Sequence, residues 1–184
     1  TTGEGGMVLT DDEEFYYRLK ELRDHGMSRN RKYVHVALGF NYRMTNMQAA
    51  IGLGQLERFD EILEKRQHQE KKYEACLSVS DQLIFRPKHD WCKTVHWMMT
   101  IRLKKEGIRD LMLDYLSQNG VDCRQMIYPV HFAQHFKTVY AQHNFPVTER
   151  ISLNSLHLPS STNLQDESIE EISTIVLEGL KRYE

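Results

Sequence analysis

Neither sign of charge is in surplus in this 184-residue sequence: 24 Lys and Arg stand against 26 Asp and Glu, a formal net of -2 at pH 7. A strongly basic nucleic-acid-binding domain is thereby excluded, and no nucleic acid is expected as a partner. Cysteine is scarce and odd in number, with Cys76, Cys92 and Cys123 far apart. That excludes a disulfide framework and any Cys-x-x-Cys pair, and it fits a reducing, cytoplasmic compartment. No run of about 18 consecutive apolar residues occurs, so no membrane-spanning helix is expected, and the opening residues lack the charged-then-apolar order of a signal peptide. Gly-x-Ser-x-Gly, a Walker loop and Gly-x-Gly-x-x-Gly are all missing; Gly3-Glu4-Gly5-Gly6 has the wrong spacing. The usual sequence signatures of serine hydrolases, P-loop enzymes and dinucleotide-binding enzymes are therefore lacking.

What is present centres on the stretch from Gly39 to Gly52. Asn41, Tyr42 and Arg43 offer an amide, a phenol and a guanidinium in three consecutive residues, a set of donors suited to an anion. Thr45 followed by Gln48 has the spacing of a capping box, so a helix is expected to begin there with Asn41 to Arg43 on the loop before it. Loops ahead of helix N-termini favour phosphate. An ordinary capped helix accounts for the same pattern without a ligand.

Along the chain, Gly3, Gly5 and Gly6 make a turn into the apolar run Met7-Val8-Leu9. Thr10 with Glu13 reads as a second capping box. Phe15, Leu19 and Leu22 recur on one face, and Gly26 stands where a C-terminal cap belongs, predicting a helix over 11–25 that covers a sheet. Residues 27–38 are polar and basic, a loop. From Asn46 the helical pattern runs to Leu77, as one long helix or two with a kink. Gly52 and Gly54 inside it point to close approach of another element. The main boundary is expected there, dividing a part at 1–77, which includes the long linking helix, from a small α+β part at 78–184. In the second part, strands are expected over 97–103, 121–124 and 156–158. Helices are expected over 108–118, 132–140, 148–155 and 166–181.

Histidines invite a metal reading: His131 and His135 stand four apart with His143 nearby, and His89, Cys92 and His96 form another group. No Glu follows His131 as in His-Glu-x-x-His, and no cysteines pair at ligand spacing, so no metal is expected.

The stretch Gly39-Phe40-Asn41-Tyr42-Arg43-Met44-Thr45-Asn46-Met47-Gln48-Ala49-Ala50-Ile51-Gly52 resembles the central motif of the DegT-type pyridoxal-phosphate-dependent nucleotide-sugar aminotransferases. Thr1-Thr2-Gly3-Glu4-Gly5-Gly6-Met7-Val8 resembles a second motif of that family and Leu156-His157-Leu158-Pro159-Ser160-Ser161 a third, in the family's order. The resemblance implies an α/β fold, the C-terminal part of a fold-type I transferase: the end of the large domain, a linking helix and a small α+β domain. It implies homodimers with shared active sites, pyridoxal 5'-phosphate as cofactor, and glutamate and a sugar nucleotide as substrates. Carried over by position, Asn41 would contact cofactor phosphate of the neighbouring subunit with Arg43 as companion. Arg124-Gln125-Met126-Ile127-Tyr128-Pro129-Val130-His131 is similar to a further family pattern that puts Arg124 and His131 near the sugar nucleotide; a surface salt bridge explains Arg124 equally well.

In the family the cofactor-bearing lysine comes just before the first of these motifs. The chain is thus expected to be a fragment without that lysine, with no catalytic residue of its own and inactive alone. Tyr42, Arg43 and Asn46 resemble the GDP-perosamine-type 4-aminotransferases of surface polysaccharide (O-antigen) biosynthesis. Two alternatives stay open: a dehydratase of the same family, with histidine for the lysine, or a non-catalytic regulatory or interaction protein. Tyr33 and His35 match a Tyr-x-His of the family, with no role assigned.

Overall fold

Met99, Ile101 and Leu103 alternate with Thr100 and Arg102, the period of a strand with one face buried, and the computed structural model bears this out with burial alternating at each residue. It describes residues 1–95 and 97–184. The helices are α1 (Glu13–Arg23), α2 (Asn46–Leu56), α3 (Phe59–Leu77), α4 (Arg109–Gln118), α5 (Pro146–Leu153) and α6 (Asp166–Arg182). The strands are β1 (Leu83–Ile84), β2 (Met99–Leu103), β3 (Arg124–Gln125) and β4 (Ser155–Leu158), and a 3-10 turn, η1, covers Val130–Phe132. Two compact units divide the chain, Thr1–Asp60 and Glu61–Glu184.

In the second unit the four strands form one antiparallel sheet in the order β1-β2-β4-β3. Ile101 pairs with Leu156 and Met99 with Leu158, placing these side chains on one face, where Met112, Leu116, Ile169, Val176 and Leu180 join them in the core. At Gly179 a Cβ would come within 2.8 Å of the Tyr115 ring and 3.0 Å of Met112 Cε. A bare backbone there lets α4 and α6 lie close.

The expected break after Leu77 differs from the packing. Tyr73 and Leu77 have no exposed surface and belong to this core, and Tyr73 Oη donates to the Pro159 carbonyl at 2.9 Å. Most of α3 therefore packs within the second unit, and the compact units divide at Asp60. The long helical pattern is two helices, with Glu57 capping α2. The expected helix over 132–140 is a series of turns whose rings meet at steep angles: Phe136 packs against His135 and Tyr140, and Tyr140 meets Phe145 edge-on. The β-branched pair Thr138-Val139 also disfavours a helix there. The strand expected over 121–124 is reduced to Arg124–Gln125.

His157 pairs across the sheet with Thr100 and Arg124. It is 5% exposed, Thr100 Oγ1 lies 2.9 Å from its Nδ1, and Nε2 is buried without a partner. Burial holds its pKa below the ordinary histidine value, because a charged ring loses hydration it cannot replace there. On acidification through about pH 6.5 the unfolded chain takes up a proton that the folded chain refuses, so this contribution is present above that pH and lost below it. We predict that the urea midpoint falls between neutral pH and about pH 5.5, by no more than ~1.4 kcal/mol per pH unit from this residue. His157→Asn should flatten that part of the profile; an unchanged profile would remove His157 as its source.

Candidate functional site

Two glycines decide the course of the loop that follows α1. Gly26 has φ +67, and a Cβ there would sit 1.9 Å from the Ala37 carbonyl oxygen; a Cβ on Gly39 would sit 2.1 Å from Gly26 N and 2.7 Å from the Leu22 carbonyl oxygen. Gly26 thus meets both a left-handed backbone and a contact only glycine allows, whereas Gly39 is required for space alone. Through this crossing the returning strand of the loop satisfies carbonyls that α1 leaves open. Phe40 N donates to Leu22 O (2.8 Å), Tyr42 N to Arg23 O (2.9 Å), and His25 N to Phe40 O (2.9 Å). Asp24 and Asn41 form an antiparallel bridge, as do Met27 and His35. His35 Nδ1 lies 2.9 Å from the His25 carbonyl, so His35 braces the loop; Tyr33, with φ +64, is exposed at its tip.

The crossing delivers Asn41 and Arg43 side by side. Arg43 Nε donates to Asn41 Oδ1 at 3.0 Å, which turns the Asn41 amide so that its NH2 faces away from the pair. Arg43 also stands 3.3 Å from Asp24 Oδ1. That oxygen is buried and takes no hydrogen bond, so the contact is electrostatic. Two residues on, Thr45 caps α2 with both halves of the capping box formed: Gln48 N donates to Thr45 Oγ1 (3.2 Å) and Thr45 N to Gln48 Oε1 (2.9 Å). Gln48 Nε2 reaches the Glu4 carbonyl at 3.0 Å, and a Cβ on Gly52 would meet Thr2 Cγ2 at 3.1 Å. The glycine turn at the start of the chain therefore lies along α2, and Gly52 makes room for it; Gly54 faces open space.

The cap of α1 differs from expectation. Asp12, not Thr10, accepts from Phe15 N (2.9 Å), while Thr10 Oγ1 accepts from Asp12 N (3.1 Å). A carboxylate is the stronger acceptor for the positive end of a helix. The first unit contains no sheet for α1 to cover. Phe15 is exposed, Leu19 and Leu22 are half-buried, and Gly26 is the unit's single buried residue.

In the second unit Arg124 lies exposed on the edge strand β3, without an ion-pair partner among the described residues. His131 sits on η1 and is largely buried. Its Nε2 is 3.0 Å from Glu149 Oε1, a partner that sequence reading missed. The spacing from His131 to Glu149 follows no motif; only the position of Glu149 in the first turn after Pro146 hinted at a carboxylate held in place. No hydrogen bond or ion pair joins Arg124 to His131. His135 packs at a tilt against Phe136, and His143 stacks on Phe145. Among the described residues no three His, Cys, Asp or Glu side chains converge as metal ligands, and His96 lies outside the described residues. Burial pushes the Cys123 thiol up to about 12, so at neutral pH it is not a thiolate nucleophile. Among the described residues no helix is long and apolar enough to cross a membrane.

An amide, a guanidinium and a capped helix start, gathered on one exposed turn, form a donor set for an anion such as a phosphate. In the comparison with known proteins, residues 1–177 match the family described as the DegT/DnrJ/EryC1/StrS aminotransferase family. The chain belongs to this family. It is 36% identical over 176 residues to a GDP-perosamine synthase of Caulobacter vibrioides, covering 94% of this chain and 47% of that protein. It is 32% identical over 169 residues to a GDP-perosamine synthase of Escherichia coli O157:H7, covering 92% and 45%. The crystal structure of the aminotransferase TlmJ from Streptoalloteichus hindustanus superposes with a TM-score of 0.88 at 26% identity, covering 100% of this chain and 49% of that one. The chain thus spans about half the length of the family members it matches. Its fold is α/β, part of the fold-type I architecture of the sugar aminotransferases.

The glycine crossing predicts a specific failure. Gly39→Ala drives a Cβ into the backbone of α1's last turn, and the amides of Phe40 and Tyr42, which donate to Leu22 and Arg23, should exchange with solvent at least tenfold faster. Gly54→Ala, in open space, should leave them unchanged. Equal exchange rates in the two variants would show that the crossing does not hold the loop.

Proposed function

We propose that this chain forms the cofactor-phosphate and sugar-nucleotide side of a pyridoxal-phosphate-dependent aminotransferase. The enzyme would move an amino group from glutamate to a 4-keto-6-deoxy sugar nucleotide, perosamine-like, for surface polysaccharide. The observation that carries this reading is the joined pair Asn41–Arg43, turned outward immediately before α2 in a chain similar to two GDP-perosamine synthases. Bound pyridoxal phosphate supplies an electron sink for moving the amino group. Asn41 would hold the phosphate through its free NH2 and Arg43 would add charge, itself steadied by Asp24.

The lysines support placing the cofactor-bearing lysine outside these residues. Every lysine except Lys72 is exposed, and Lys72 is tied to Glu170, a bond that raises its pKa rather than lowering it toward a reactive amine. On this reading the 184-residue chain is inactive by itself. The exposed apolar residues of the first unit, among them Met7, Leu9, Leu38 and Met47, are surface for the rest of the large domain and for a second subunit, as a homodimer with shared sites requires. The three free cysteines fit a cytoplasmic setting. In the second unit Arg124, exposed and without an ion-pair partner among the described residues, is suited to grip two diphosphate oxygens, with His131 as its companion on the sugar nucleotide.

In the assembled enzyme, Asn41→Ala should weaken retention of pyridoxal phosphate about tenfold or more, the loss of one hydrogen bond to a charged group. Unchanged cofactor affinity and turnover would contradict the assignment. Arg124→Ala should raise KM for the sugar nucleotide and spare the glutamate half-reaction; single-turnover kinetics of each half separate the two, and the reverse pattern would move Arg124 to the amino-donor side.

A further inference from the structure

His131 is held more tightly than its role as a surface contact requires. Its ring packs between Phe132, with centroids 4.7 Å apart and planes at 72°, and Phe145, at 4.6 Å and 36°. Glu149, 3.0 Å from Nε2, stands in the first turn of α5. That helix is itself anchored: Ser152 Oγ donates to the Ile127 carbonyl at 2.9 Å, and the buried Arg109 donates to the Ser152 carbonyl at 3.0 Å. An ionised carboxylate only accepts, so the nitrogen facing Glu149 must carry the proton. A neutral ring then presents Nδ1 as a lone pair, and among the described residues Nδ1 has no hydrogen-bond partner.

We propose that Glu149 is a positioning residue for His131, fixing the Nε2-protonated tautomer so that Nδ1 accepts a hydrogen bond from a hydroxyl of the sugar nucleotide. This rests on the reading of His131 as a sugar-nucleotide contact and divides the ligand between the two residues. A phosphate oxygen, which only accepts, gains nothing from a lone pair at Nδ1, whereas a hydroxyl donates to it. Arg124, which only donates, takes the diphosphate. The hydroxyl comes either from the ribose or from the hexose.

Histidine nitrogen resonances of the ¹⁵N-labelled 184-residue chain, recorded under mildly alkaline conditions, test the first part. The wild type should show His131 as the Nε2-protonated tautomer. Glu149→Leu should lose that preference and give a mixture, and Glu149→Gln should fall between the two, because its amide can either accept from Nε2 or donate to it. A residue that merely props up α5 would not follow this order. An Nδ1-protonated ring in the wild type, or an undiminished preference in Glu149→Leu, overturns the positioning role.

GDP and GDP-mannose, added to the assembled enzyme labelled in the same way, serve as probes for the second part. A shift of the Nδ1 resonance with GDP itself supports the ribose as the donor, and a shift with GDP-mannose only supports the hexose. Protonation of Nδ1 on binding overturns the hydroxyl assignment. No response to either probe, with the tautomer preference intact, overturns His131 as a sugar-nucleotide contact while leaving the hold of Glu149 on the ring.

Discussion

The contact between Gly26 and Gly39 is the constraint on which the site in the first unit depends. Two backbones come so near that a methyl group on Gly39 would overlap the main chain at Gly26, and one on Gly26 would overlap the Ala37 carbonyl. The approach is stabilised by the hydrogen bonds it permits: the last carbonyls of α1, which a helix end leaves unsatisfied, take the amides of Phe40 and Tyr42. The loop is thus stitched to α1 before Asn41 is reached. Asn41 and Arg43 then have little freedom, since one end of their turn is bridged to Asp24 and the other runs into the Thr45 cap. A donor set assembled in this way is held in place before a ligand arrives, which reduces the ordering cost of binding.

The second unit serves its own residues by a different route. Its sheet buries one face under α3, α4 and α6, and β3, at the edge of that sheet, carries Arg124 at the surface. The chain then leaves the sheet through Pro129 into η1 and the ring stack around His131. Rigidity there comes from α5 and its two anchors, Ser152 and Arg109, rather than from the sheet. Arg124 is set by strand pairing and His131 by aromatic packing and a carboxylate.

What could be read in the sequence was mostly local. The Thr45–Gln48 box joins residues three apart and formed as expected, and the face of α6 that carries Ile169, Ile172 and Val176 packs into the core as its period implied. Competition between neighbours was harder to judge, as at Thr10 and Asp12, where both residues have cap chemistry and the charged one prevailed. Long-range partners left no mark at all. Gly39 announces a close approach but not that Gly26 is what it approaches, and nothing about Glu149 says that it meets His131. Tyr73 and Leu77 look like the continuation of one amphipathic pattern, and only their burial reveals that this stretch of α3 packs in the second unit. The family motif made Asn41 and Arg43 conspicuous; their mutual hydrogen bond and the hold of Asp24 became visible only in three dimensions.

The most direct test of the proposed phosphate grip is a crystal structure of the assembled, cofactor-loaded enzyme. A cofactor phosphate oxygen should lie within hydrogen-bond distance of Asn41 Nδ2, with the Arg43 guanidinium beside it and the Gly26–Gly39 crossing unchanged. A phosphate bound elsewhere, with Asn41 and Arg43 facing solvent, would contradict it.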